Sequence, residues 1–257
     1  MSAHRTIKQA AYAFIFLNIV LLAGYGILRV IVPAGPRVIE NTPTPIPAFS
    51  ALEIQPADFI QSGNLVDAVV QIKNPNVRAG VSNLTVNFQF LDSNSQTIIS
   101  RSVSSYILPG SSQYVAVFNV PTTVPVASVK ANIPGTSTFT TVADTYQLPR
   151  FSHIMRDRVP RELAGKTYEE QKGLIVNNNP FVFKTVEVVV LAFDASNRVV
   201  SIGQTVVGDL LLGEQREFKV QWLYSGQSIE RVIAFPTTNI FLKDNIRPVT
   251  KDPSLLQ

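Results

Sequence analysis

The sequence predicts an all-β protein in which two β-sandwiches stand in tandem behind a single transmembrane α-helix and a Pro-rich stalk. Three observations predict it. Ile72-Lys73-Asn74-Pro75-Asn76 reads as a strand end and a turn, and Leu84-Thr85-Val86-Asn87-Phe88-Gln89-Phe90-Leu91-Asp92 as the strand that follows. Val86, Phe88 and Phe90 alternate with Asn87 and Gln89, the two-residue period of a half-buried strand. The pattern then returns as Val188-Val189-Val190-Leu191-Ala192-Phe193, with Asp194 in the place of Asp92. Ahead of both, Ala10 to Leu28 is almost wholly apolar, Asn18 being its one strongly polar residue.

The 257 residues, 17 of them proline and 13 glycine, with many Val, Ile, Thr and Ser, suit two ordinary domains built of strands and turns. The chain has no cysteine, which excludes a disulfide framework, a thiolate metal site, a cysteine nucleophile and a lipid-modified cysteine. Stability must come from packed cores, and sandwiches of about a hundred residues are large enough to bury them. A net charge of +4, scattered along the chain, gives no footprint for nucleic acid.

Taken in order, residues 1–9 form a short N-terminus and 10–32 a transmembrane helix. At ~1.5 Å per residue that helix is long enough for a ~30 Å hydrocarbon core. Arg5 and Lys8 precede it, so the positive-inside tendency puts the N-terminus in the cytoplasm and the bulk of the chain outside. Arg29 and Arg37 weaken that asymmetry. The competing reading is a cleaved signal peptide ending near Val32-Pro33-Ala34; its apolar run would be longer than the usual ~7–15 residues, which favours an uncleaved signal-anchor. A buried core helix is a third reading, with nothing else helical to pack around it.

Residues 33–46, centred on Asn41-Thr42-Pro43-Thr44-Pro45-Ile46-Pro47, read as a semi-rigid polyproline II stalk. Two copies of one unit follow, 47–146 and 147–245, and then a flexible tail, 246–257. Pro47-Ala48-Phe49-Ser50 recurs as Pro149-Arg150-Phe151-Ser152. Gly63 matches Gly165, Asp92 matches Asp194, Pro109-Gly110 matches Leu212-Gly213, and Ile133-Pro134 matches Phe235-Pro236. Asn74-Pro75 drifts to Asn179-Pro180, implying a longer first loop and a shorter second one in the later copy. A period this long means whole domains in tandem.

Strands are expected near 51–54, 66–73, 81–92, 96–106, 113–120, 127–133 and 138–143. In the second copy they are expected near 152–156, 172–177, 185–194, 198–207, 215–223, 229–235 and 238–242. Seven short strands separated by turn signals suggest immunoglobulin-like sandwiches. Asp92-Ser93-Asn94-Ser95 and Asp194-Ala195-Ser196-Asn197 supply hairpin turns. Trp222, alternating with Val220 and Phe218, is the expected core anchor of the second sandwich.

Ile72-Lys73-Asn74-Pro75-Asn76, Phe88-Gln89-Phe90-Leu91-Asp92 and Tyr106-Ile107-Leu108-Pro109-Gly110 together resemble the bacterial FxLYD domain. That resemblance implies an extracytoplasmic immunoglobulin-like module, often behind a membrane anchor, with no agreed catalytic activity. Phe90 and Leu91 stand where the family has Leu and Tyr, and Val190, Ala192 and Phe193 depart further. The Asn-Pro-Asn turn is similar to that of the late-embryogenesis-abundant type 2, or water-stress, sandwich, which would imply a lipid- or stress-related role.

Reactive constellations are missing. Histidine occurs only at His4 and His153, too few for a Ser-His-Asp arrangement to be assembled with any support. Asp92 and Asp194 offer one carboxylate per hairpin, whereas calcium takes ~6–8 oxygens; turn chemistry explains them better. Glu169-Glu170 reads as a solvated loop, and the sequon at Asn83 falls inside a strand, where chance explains it. No metal or cofactor is expected.

Two features are candidates for binding. Arg150, Arg156, Arg158, Arg161 and Lys166 form a basic run where the sandwiches join, with Asp157 and Glu162 interspersed. It reads as a solvated linker, or else as a patch for an acidic envelope polymer or lipid headgroup. Val189, Leu191 and Phe193 replace Asn87, Gln89 and Leu91 on the outward face of the equivalent strand. Such an apolar face either packs on the joining segment or first sandwich, or meets a partner. The expectation is therefore a non-enzymatic binding or scaffold module of the cell envelope, anchored by one span. Its partner would be another envelope protein or an envelope polymer.

Overall fold

A computed structural model of the chain describes residues 3–31, 49–163, 166–223 and 226–248, and its contacts divide the chain into Met1–Pro47 and Ala48–Gln257. The stalk expected over 33–46, the Val32-Pro33-Ala34 site, Gly165 and the tail beyond Pro248 lie outside the described residues.

The first unit holds α1, Ala3–Ile31. Its polar residue Asn18 turns its amide back to the carbonyl of Phe14 at 2.8 Å, so the helix supplies its own partner for that group. Side chains are described at Lys8 and over 11–25, a stretch of roughly 22 Å. Among the described residues no helix is long and apolar enough to cross a membrane.

The second unit begins with β1 (Glu53–Ile54), β2 (Asp58–Ser62), β3 (Leu65–Lys73), β4 (Ala79–Leu91), β5 (Thr97–Ile107), β6 (Ser112–Pro121), β7 (Ser128–Asn132) and β8 (Phe139–Thr141). In one sheet β3 is flanked by β1 and β2 on one side and β6 on the other. In the facing sheet β4 lies between β5 and β7, with β8 beside its first residues. The alternation read from the sequence decides which residues meet between them: Ile72, Leu84, Val86, Phe88, Phe90 and Ile107 are buried in one core.

The remaining strands are β9 (Phe151–Leu163), β10 (Lys166–Asn177), β11 (Phe181–Phe193), β12 (Val199–Leu210), β13 (Gln215–Leu223), β14 (Arg231–Thr237) and β15 (Ile246–Pro248). They repeat the first arrangement, with the one long β9 in the place of β1 and β2. β10 runs between β9 and β13, and β11 between β12 and β14 with β15 beside its start. Their core gathers Ile175, Phe183, Val190, Phe218, Val220 and Trp222. Trp222 is the anchor expected there, its indole donating to Glu169 Oε2 at 3.0 Å. Gly203 lies beneath Val220 and Trp222; a Cβ on it would come within 3.0 Å of Val220 and 3.1 Å of Trp222.

One hydrogen-bond bracket occurs in both copies. Asn74 Nδ2 donates to the carbonyls of Ala79 (2.7 Å) and Leu108 (3.0 Å), while its Oδ1 accepts from the backbone of Asn76 (3.0 Å). Asn76 in turn exchanges two bonds with the backbone of Ser50, each 2.8 Å. In the second copy Asn177 bonds Phe181 (2.7 Å), Leu210 (3.1 Å) and Asn179 (3.0 Å), and Asn179 exchanges two bonds with Arg150, at 2.8 and 2.7 Å. The bracket corrects two expected equivalences. Asn74 matches Asn177, not Asn179, so the expected drift of that turn disappears. Ser50 matches Arg150, so the Pro-x-Phe-Ser repeat is two residues out of register. Side chains agree: Phe49 stacks on Phe139 of β8, whereas Phe151 stacks on Phe183 of β11.

Strand lengths also differ from expectation. β9 and β10 pair from Phe151 and Asn177 out to Leu163 and Lys166, so Arg156, Arg158, Arg161 and Lys166 of the basic run, and Glu169-Glu170, are strand, not linker or loop, while Arg150 precedes β9. A bulge between Gln171 and Gly173 absorbs the misfit, and Gln171 fills it by donating to the carbonyls of Arg156 and Lys172, both at 2.8 Å. Residues 246–248, expected in the tail, form β15, because Ile246 packs on the second core. In place of a strand over 238–242 there is a turn and a short 3₁₀ helix, Lys243–Asn245; Asn245, buried, bonds Thr238 and the carbonyl of Asn239.

Asn177→Ala removes the partner of two main-chain carbonyls that it holds from a fully buried position. At roughly 1–3 kcal/mol per orphaned buried group, chemical denaturation should show the second sandwich losing stability on that scale. Asn178→Ala, exposed beside it, removes a side chain that bonds the Ser152 hydroxyl and should lose well under half as much.

Candidate functional site

The outer face of β11 meets the outer face of the first sandwich. Val189 (3% exposed) and Leu191 (1%) are buried together with Ile202 of β12 against Val69 and Ala116, and Ile60, Tyr114, Phe118, Phe193 and Phe235 pack around them. Tyr114 and Phe235 stack across this seam with ring centres 4.4 Å apart. Phe193 is half-buried and carries the Arg231 guanidinium over its ring at 4.7 Å. The candidate partner face Val189, Leu191 and Phe193 is thus covered from within the chain, the packing alternative read from the sequence.

The seam has a polar end. Tyr106 donates to Thr237 at 3.3 Å, and burial, together with the nearby Glu187 carboxylate, pushes its phenol far above the usual range. Burial also raises the Glu187 carboxyl above its ordinary value of 4.5. The folded chain therefore holds a proton on Glu187 more readily than the unfolded one.

The basic positions do not converge. Arg150 sits at the bracket and donates to Gln147 at 3.2 Å, while Arg161 lies near the other end of β9, roughly 30 Å along the strand. Arg158 and Arg161 are opposite Gln171 and Tyr168, whose side chains leave β10 on opposite faces. Each has a carboxylate: Arg158 pairs with Glu169 at 3.6 Å and Arg161 with Glu170 at 3.3 Å. Arg156 is exposed, and the Lys166 side chain lies outside the described residues. His153 is half-buried on β9, and burial lowers its pKa. Asp92 and Asp194 accept backbone N–H groups of their own hairpins, from Asn94 and Gln96 at 2.9 and 2.8 Å and from Arg198 at 2.9 Å. Among the described residues no three His, Cys, Asp or Glu side chains lie together as a metal site would need.

Clefts that single-strand reasoning could not foresee border the seam. One of about 510 Å³ is lined by Gln113, Tyr114, Phe151, His153 and Pro236. Another, of about 460 Å³, opens between Asp67, Phe118 and Asn119 of the first sandwich and Tyr168, Gln204 and Trp222 of the second. Asp67 Oδ1 accepts the Asn119 N–H at 2.7 Å, and burial raises the Asp67 carboxyl pKa. Asn119 holds a left-handed backbone, φ 53°, at the irregularity where β6 leaves register with β3. A third cleft, of about 470 Å³, lies at the end of the second sandwich between Tyr146, Leu148, Phe181 and Ile246.

No protein-family model matches the chain, and no curated protein is similar to it.

Leu191→Arg would place a charge in the closed seam. The two sandwiches should then unfold in separate transitions, and small-angle scattering should report a larger radius of gyration; coincident transitions would show the seam does not couple them. Glu187→Gln tests the polar end. In the native chain the raised pKa makes stability grow as pH falls through the folded value and level off near 4.5. The variant should be more stable than the native chain at pH 7, and the difference should vanish by about pH 4 in thermal melts.

Proposed function

We propose that this chain is a membrane-anchored extracytoplasmic protein whose two immunoglobulin-like sandwiches act as a non-enzymatic binding or scaffold module of the cell envelope. The observation that carries the reading is the surface of α1. Tyr12, Phe14, Ile15, Phe16, Leu17, Ile19, Val20, Leu21, Leu22 and Tyr25 are each 50–71% exposed. At ~100° per residue these positions face every side of the helix, and a helix apolar all round requires burial on all sides. A hydrocarbon core provides that, and the sequence from Ala10 to Val32 supplies the length. Asn18, bonded within the helix, is compatible with lipid. The FxLYD-like order of motifs belongs to the same reading. The water-stress alternative calls for room between the sheets of a sandwich. Phe88, Phe90 and Phe183, fully buried, leave the interiors filled, and the large clefts lie along the seam and at one end.

Fractionation and protease treatment test this directly. The chain should stay with membranes through alkaline extraction, and protease added outside intact cells or spheroplasts should digest the β-unit. Full protection until the membrane is opened would place the sandwiches in the cytoplasm and overturn the reading.

A further inference from the structure

We propose that the cleft between β3 and β6 of the first sandwich and β10, β12 and β13 of the second binds a neutral oligosaccharide. This deepens the envelope-polymer side of the function proposed above and rests on it for the ligand's source, though not for its chemistry. The volume, about 460 Å³, falls in the range of small-ligand clefts (~300–1,000 Å³). Its lining includes aromatic residues from both halves of the chain: Phe118 and Tyr168, both half-buried, and Trp222 of the second core, 4% exposed. Asn119 and Gln204 also line it, and their side chains make no hydrogen bond among the described residues.

A sugar ring needs this combination. Its C–H faces are apolar and pack on aromatic faces, while each hydroxyl both donates and accepts. An Asn or Gln amide offers one acceptor and two donors, enough to span neighbouring hydroxyls, and a carboxylate accepts further O–H groups. Asp67 has one oxygen engaged by the Asn119 N–H and keeps its other oxygen for a ligand. The charge of the lining selects among polymers. Among the described residues Asp67 is the one charged side chain in it, with no Lys or Arg, so phosphorylated or sulfated chains are disfavoured and uncharged ones are not. The other two clefts also combine aromatic residues with amides, but both contain Arg150 and their amides are engaged: Gln113 with Ser105, Asn178 with Ser152, Asn179 with the Arg150 carbonyl and Gln147 with the Arg150 guanidinium.

Trp222 is the sole tryptophan, so its emission reports on this cleft. The full chain, held in a detergent without a sugar headgroup, is titrated with chitohexaose, maltohexaose, mannohexaose and a sulfated hexasaccharide. The expected result is a saturable emission change with at least one neutral hexasaccharide, unaffected by high salt. Tyr168→Ala and Gln204→Ala should each weaken it roughly tenfold, with melting temperatures unchanged. No change with any neutral sugar, a response to the sulfated one alone, or native affinity in both variants would overturn the proposal. The protease experiment is independent: a flat titration with an exposed β-unit removes only this site, and binding by a chain found inside the cell removes only the placement.

Discussion

Aliphatic packing across the seam determines what the β-unit can be. With Val69, Ala116, Val189, Leu191 and Ile202 closed against one another, the two sandwiches are held in one arrangement. Each of those side chains removes apolar area from water at ~25 cal/mol per Å², which is what lets a face without charges exist on a domain surface. The clefts follow from the same contact. Two convex sandwiches touch over their central strands and diverge around them, so grooves lined from both halves are left where the surfaces part.

Much of this architecture was legible in the sequence because strand period is a local signal. Val86, Phe88 and Phe90 announce the inward face by alternating with Asn87 and Gln89. The loss of alternation over Val188–Phe193 announces that β11 is covered on both sides, which is how its outward residues were found. The seam's other half was not legible. Val69 and Ala116 sit in strands whose composition would suit a core or an interface equally, and only the docking distinguishes them.

The register between the copies leaves little trace in the sequence, for a physical reason. The Asn bracket bonds mainly to carbonyls and amides of the main chain, so it is indifferent to the side chains around it and leaves a trace of two asparagines alone. Proline beside one of them made a more conspicuous but misleading match. The β9–β10 arm was missed because Arg, Glu and Pro160 lower strand propensity; what holds it is pairing along its length, the Gln171 plug and the Trp222–Glu169 bond. Cleft residues such as Asn119 and Gln204 carry no local pattern, since their meaning arises from two distant segments brought together.

β9 stands at the border of its sheet, thirteen residues long, and among the described residues no further strand matches its outer row of amides and carbonyls. A long open border of that kind invites a second molecule to add on and start a fibril. Arginines at 156, 158 and 161, acids at 157 and 162, and a proline at 160 make such addition electrostatically and sterically unfavourable. Their service is then colloidal: they keep neighbouring copies from zipping together.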